Sequence, residues 1–327
     1  MRAFVNLRAV AMACGLALGL ALTGSALADT PPSVTPATAD GVIQVIGVEP
    51  SKLGANSDQV TILPTGAAEP VALTVKRLAD KQTLDLGARP GDRIWLTVDD
   101  PLNPRSVVQI IRVARPVPTL QRLIALGGAF VVIAAVAVLA TAGKPWRFAV
   151  GNDNRMSNSQ TQLVLWFGVV AMVYGATLIL RAWFLGWEFM GGISMTTNVL
   201  AMTGLSGLSF GAAKVVAVQK ASSAAAAAAA GVVSASTPAP ADPASQPRVA
   251  DLVQNDKGDA DLGDFQMILI SGVATVIFAC ASWEFLTLVD IVKTTTLPDV
   301  DTALLGSFGI GQGAYPIKKA ALPAGMG

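Results

Sequence analysis

The chain has 327 residues, of which 52% are hydrophobic and only 14% charged, with a formal net charge of +1. A soluble domain devotes roughly a quarter of its residues to charge, so an ordinary water-soluble globule is excluded, and near-neutrality gives no electrostatic reason to expect nucleic acid as a partner. With no histidine and only two cysteines, the chain has no disulfide framework, no thiolate metal site and none of the commonest general bases, so no catalytic, cofactor-binding or metal-ligating set is expected.

Residues 1–28 open with Arg2 and Arg8, continue through the apolar run LALGLAL and end Ser25-Ala26-Leu27-Ala28. Basic head, short apolar core and A-x-A end are the marks of a secretory signal peptide, with cleavage expected after Ala28. Residues 29–40, rich in Pro, Thr and Ala, are expected to be a flexible lead-in.

Between 41 and 117, five short β-type runs follow: VIQVIGV (42–48), QVTIL (59–63), VALTVKR (71–77), DRIWLTV (92–98) and SVVQIIRV (106–113). Turn-rich pieces such as Arg89-Pro90-Gly91-Asp92 separate them, a spacing that predicts a small all-β sandwich or barrel on the exported side. Alternation in DRIWLTV predicts Ile94, Leu96 and Val98 on one face and Trp95 and Thr97 on the other. This domain is a candidate binding module for an exported-side partner, or a packed cap on the spans.

Five membrane spans are expected after it. The first, within 118–143, runs without charge from Leu123 to Ala142, long enough to cross about 30 Å of hydrocarbon. Two hairpins follow: 144–214, with spans 162–180 and 193–213, and 266–319, with spans 266–289 and 303–317. The last span is short and holds four glycines and Pro316, so it either stays near the bilayer normal, thins the membrane or is re-entrant. The intervening 215–265 carries an alanine tract that favours prolonging the preceding helix, a Pro-rich tether and the acidic stretch DLVQNDKGDADLGD. Asp256, Asp259, Asp261 and Asp264 have the oxygen chemistry of a divalent-cation site but not the EF-hand spacing. They are read as a solvated turn whose Asp264 favours the N-terminal end of the next helix. Residues 320–327 form a short tail.

Orientation follows from charge. An exported N-terminus places Lys144, Arg147, Arg155, Lys214, Lys220, Arg248, Lys257, Lys318 and Lys319 inside, against Arg122, Arg181 and Lys293 outside. That asymmetry obeys the positive-inside rule. The two hairpins also share an order of marks. Gln162 aligns with Gln266 and Gly168 with Gly272; with a one-residue shift, Gly204 aligns with Gly309 and Lys214 with Lys319. A parallel duplication, related by an axis along the membrane normal, is expected.

Gly204, Gly207 and Gly211, with Gly309 and Gly313, are candidate helix-packing residues, because small faces let helices approach closely in lipid. The alternative is that the glycine-rich spans 193–213 and 303–317 line the pore of an oligomeric channel or transporter. Arg181 and Glu284, at similar depth near the outer ends of their spans, are the candidate ion pair between the two copies.

The strings DLVQND (251–256), GDFQM (263–267), LPDVDT (297–302) and GQGAY followed by KK (311–319) resemble a family of bacterial membrane proteins with an exported β-domain and no established activity. That resemblance covers roughly 151–319. It implies a multi-pass protein of the bacterial inner membrane, with the N-terminal domain outside and the C-terminus in the cytoplasm. The expected function is a structural or interaction role with the bilayer, with other copies of the chain or with other membrane proteins.

Overall fold

The computed structural model describes residues 44–53, 59–64, 69–100, 104–151, 154–229, 247–254 and 259–321. The expected signal peptide and lead-in, much of the linker and the tail lie outside the described residues. The chain divides into two compact units: residues up to Gly127 with Tyr174–Ser194 and Ser282–Leu297, and Gly128–Val173 with Met195–Ala281 and Pro298 onwards.

The first unit is built on a sheet. Strands β1 (Gln44–Leu53), β2 (Gln59–Pro64), β3 (Val71–Val75), β4 (Arg93–Val98) and β5 (Ser106–Pro116) overlap the five predicted runs, with β1 and β5 running on beyond them. The pairs β1–β2, β2–β3, β1–β4 and β4–β5 are antiparallel. A parallel pair between β3 and β5, Thr74 opposite Ser106 and Val75 opposite Val107, closes the circuit. The result is a five-stranded barrel of order 1-2-3-5-4-1, the connectivity of an OB-type Greek-key barrel. Alternation decides its interior: Ile94 and Leu96 are fully buried and Val98 nearly so, together with Val60, Leu73, Val75 and Val113.

The expectation of an all-β domain is corrected by one helix, α1 (Leu78–Asp85), between β3 and β4. Its buried positions are Asp80 and Leu84, so half of its core face is a carboxylate, and no apolar periodicity announces it. Asp80 is retained because its Oδ1 accepts the Ile110 backbone N–H at 3.1 Å, beside the bulge that leaves Ile111 out of the β4–β5 register.

A second correction concerns the apolar run 266–289, expected to be one span. The helix there ends at Phe285, and Leu288–Asp290 form a strand, β7, antiparallel to the end of β5. Thr287 ends the helix by turning both its N–H (3.0 Å) and its hydroxyl (2.6 Å) to the Glu284 carbonyl. Likewise Ile193–Ser194, expected to begin the third span, form a two-residue strand, β6. It pairs in parallel with β8 (Thr295–Thr296).

The helices are α2 (Thr119–Ala140), α3 (Asn158–Phe184), α4 (Thr197–Ala229), α5 (Leu262–Phe285) and α6 (Thr302–Ala321). Among the described residues, α2, α3 and α5 are long and apolar enough to cross a membrane. The alanine tract extends α4 to Ala229, as its helix propensity favours. Helix α6 runs unbroken through Pro316 to Ala321, with no re-entrant turn. Asp261 caps α5 by accepting the N–H groups of Gly263 and Asp264 at 2.8 and 3.2 Å, and Asp264 lies in the first turn of the helix, where its charge was expected.

The second unit packs α3, α4, α5 and α6 around Trp166, which is 1% exposed. Its ring lies 5.4 Å from Phe278 and 6.4 Å from Phe308, centroid to centroid. Its Nε1 donates to the Thr203 hydroxyl at 3.0 Å. A buried indole N–H needs such a partner, and α4 supplies it one helix away.

Asp99 closes the β4–β5 connection. Its carboxylate accepts the Ser106 N–H at 3.0 Å, the Arg105 N–H at 3.1 Å and the Ser106 hydroxyl at 2.9 Å. Those donors, the Ser106 backbone first, hold its pKa far below the usual carboxylate range. A lowered folded pKa means that the stabilisation is complete above the unfolded value, near 4, and is lost as pH falls through the folded value. Asp99→Asn should therefore lower the melting temperature at neutral pH and flatten the acid limb of the melting profile. It should also speed amide exchange at Arg105 and Ser106, and unchanged exchange at those amides would refute the assignment.

Candidate functional site

The most highly organised polar site lies in the first unit, where two arginines gather backbone carbonyls. Arg115, on β5, grips Asp92 in a two-point fork, Nε to Oδ1 at 2.8 Å and Nη2 to Oδ2 at 2.9 Å. Nη2 also donates to the Gly87 carbonyl at 2.9 Å, and Nη1 to the Phe184 carbonyl in the last turn of α3 at 2.5 Å. The two side chains are 10% and 2% exposed. This is thus a desolvated pair whose remaining donors are spent on carbonyls, the condition under which such a pair is tolerated. Asp92 Oδ2 further accepts the Arg89 N–H at 2.7 Å, which shapes the Arg89–Asp92 turn.

Around that anchor β5 is zipped to the α5–α6 connection. The β5–β7 ladder runs Ala114 to Asp290, Arg115 to Val289 and Pro116 to Leu288. It is extended by Val117 N–H to Thr287 O at 2.8 Å and Ile291 N–H to Val113 O at 2.9 Å. Arg112 reaches Asp290 at 2.5 Å and covers Trp95 at 5.1 Å. Its side chain is 41% exposed, so that pair adds little beyond the ladder.

Arg181 is 1% exposed. It donates from Nε to Phe189 O at 2.6 Å and from Nη2 to Val292 O at 2.7 Å and Lys293 O at 3.0 Å. Glu284, the expected partner of Arg181, is not among these acceptors. The reason is local. Arg181 lies where two connections fold over it, and their carbonyls lack helical partners. Arg122 instead lies 4.4 Å over the Trp283 ring and donates to Thr119 Oγ1 at 2.9 Å. Gly192 completes the arrangement with φ +74°; a Cβ there would lie 2.5 Å from Lys293 O, a carbonyl that Arg181 also binds. The cavity beside Arg181, lined by Thr177, Leu286, Asp290 and Thr295, has a volume of only ≈ 10 Å³, room for one water at most.

The expected packing glycines divide. Gly309 lies on the α4–α6 contact, where a Cβ would lie 3.6 Å from Leu205 Cδ1. Added Cβ atoms at Gly204, Gly207 and Gly211 meet nothing within 4 Å. Gly313 lies on α6 beyond the side chains described. No group of three or more potential ligands suited to a metal ion occurs among the described residues; Asp256 lies outside them. The residues sequence reasoning missed are Arg115, Asp92, Asp290 and Gly192. A signal existed for the first alone: an arginine continuing an apolar strand into an X-Pro pair.

The fold and site thus define a class: a helical protein with helices of membrane-spanning length that carries a small closed barrel locked by buried arginines. No protein-family model, curated protein or solved structure matches the chain.

Removing Arg115 strands a buried carboxylate. Arg115→Met should destabilise the first unit by about 3–5 kcal/mol, and the double variant Arg115→Met/Asp92→Leu should regain most of that. Thermal unfolding of the full chain in detergent reads both, and a single variant no worse than the double would contradict the pairing. Gly192→Ala should cost more than about 1 kcal/mol through φ and the clash together and expose 286–297 to limited proteolysis, with Gly191→Ala, which meets open space, as the silent control.

Proposed function

We propose that this chain is a structural and interaction protein of the bacterial inner membrane, crossing it five times, with a signal peptide at its N-terminus and its C-terminus in the cytoplasm. The barrel is held outside as a rigid partner-binding surface, and the spans assemble with other copies of the chain. The observation that carries this reading is the zipped junction. A domain joined to helix ends by a β-ladder and buried guanidinium forks holds its position in a way that a tethered domain does not. The signal-peptide pattern and the inward excess of basic residues support the orientation.

Self-assembly draws on α4. Leu200, Leu208, Val215 and Val218 are exposed, and they share a helix face with Gly204, Gly207 and Gly211 at the spacing of a small-residue packing seam. The parallel β6–β8 pairing sets the two connections side by side in the same direction. It supports a duplicated hairpin with parallel copies. The bilayer itself is the other expected partner, consistent with the outward Phe130, Val132, Val136 and Leu139 of α2.

Purification in mild detergent with mass measurement tests the assembly. The wild type should run as an oligomer, and Gly207→Leu/Gly211→Leu should shift it towards monomer without changing its unfolding temperature, since both positions face open space. A wild type that is strictly monomeric and carries no co-purifying protein would end this reading. Ion flux through reconstituted vesicles would replace it with the channel.

A further inference from the structure

Beyond the inner end of α2 lies a pocket that neither the junction nor the assembly seam uses. The helix stops at a sharp reversal. Ala142 (φ +51°) and Gly143 (φ +84°) turn left-handed, and the Ala142 and Gly143 N–H groups bond back to the carbonyls of Leu139 (3.3 Å) and Val138 (2.8 Å). A short 3-10 turn, Pro145–Ala149, follows. Against it lies a cavity of ≈ 400 Å³ lined by Lys144, Trp146, Arg147, Asn154 and Pro247 among others.

Three features of this cavity and of the chain leading to it converge on one ligand chemistry. First, Lys144 and Arg147 are exposed, and neither side chain has an ion pair or hydrogen bond among the described residues. The nearby carboxylate of Asp251 is engaged elsewhere: it accepts the Arg248 N–H at 2.8 Å and the Met156 N–H at 3.3 Å and stands 3.8 Å from Arg155. Second, Trp146 and Phe148 are each 44% exposed, apolar rings at the end of an apolar helix, as at a bilayer interface. Third, Val136 and Leu139 on the last turns of α2 are 61% and 81% exposed, an apolar surface continuous in sequence with the cationic rim.

We propose that Lys144, Arg147 and Trp146 form a site for the phosphate of an anionic lipid headgroup, whose acyl chains lie along the end of α2. Lys144 contributes a point charge and Arg147 a planar fork that can bind two phosphate oxygens at once. The Trp146 ring lies at headgroup depth. A free phosphate offers the same charge but leaves the apolar end of α2 uncovered. The site rests on the reading of α2 as a membrane span.

The test uses the full chain in nanodiscs and detergent. Native mass spectrometry with added phosphatidylglycerol or phosphatidylcholine should show preferential retention of phosphatidylglycerol. In Lys144→Gln/Arg147→Gln that retention should fall about thirty-fold, the effect of two interfacial cations. Lys76→Gln/Arg93→Gln, which removes equal charge from exposed barrel positions, should retain the lipid as the wild type does. Equal retention of the two lipids, or equal loss in both double variants, would overturn the proposal. So would thermal stabilisation by inorganic phosphate that depends on Lys144 and Arg147 without any lipid preference, since that would assign the site to free phosphate. Insertion into phosphatidylcholine vesicles is measured separately by flotation. A chain that does not float with them contradicts the membrane reading, whereas one that floats but shows no headgroup preference contradicts this site alone.

Discussion

Arg115 imposes the constraint on which the first unit depends. A guanidinium taken out of water must spend its donors on geometrically matched acceptors or lose several kcal/mol. Here the matched acceptors come from separate parts of the chain: Asp92 at the start of β4, Gly87 after α1 and Phe184 at the end of α3. Satisfying one side chain therefore fixes the α1–β4 turn, the register of β5 and the direction in which α3 leaves its last turn. The β5–β7 ladder, Arg112 and Asp290 extend that agreement.

Arg181 follows the same logic with a different set of acceptors. Where a helix ends and the chain reverses, carbonyls have no N–H partners from the next turn, and a dry environment makes each one costly. Arg181 supplies donors to both connections at once. Gly192 permits the close approach because any Cβ would occupy the space of the Lys293 carbonyl. In the second unit, Trp166 plays the corresponding role with apolar contacts, filling the space between helices and spending its single N–H on Thr203.

Much of this architecture was legible in the residues. Alternation in β4 foretold that Ile94, Leu96 and Val98 face the barrel interior, and the long apolar runs announced α2, α3 and α5. The arginine junction was not legible, because its partners lie far apart along the chain: Arg112 and Asp290 are 178 positions apart, Arg181 and Val292 111. Arg181 was singled out for its depth, but depth does not name a partner, and carbonyls carry no sequence signature. Helix α1 escaped because Asp80 occupies a core position, and β6, β7 and β8 are too short for any periodicity to show.

By itself the sequence determined the local elements: which runs are strands, which are long apolar helices, where charge collects and where an alanine tract keeps a helix going. Those properties depend on neighbours within a turn or two, so the order of residue types encodes them directly. Tertiary structure alone decided that the barrel closes through the parallel β3–β5 pair, that residues 288–290 leave the helix to join the sheet, and that Arg181 spends its donors on carbonyls while Arg115 divides its own between Asp92 and two carbonyls. Each of those choices is a competition among distant partners for a few buried hydrogen-bonding groups, and it is settled only when the folded chain brings them within 3 Å of one another.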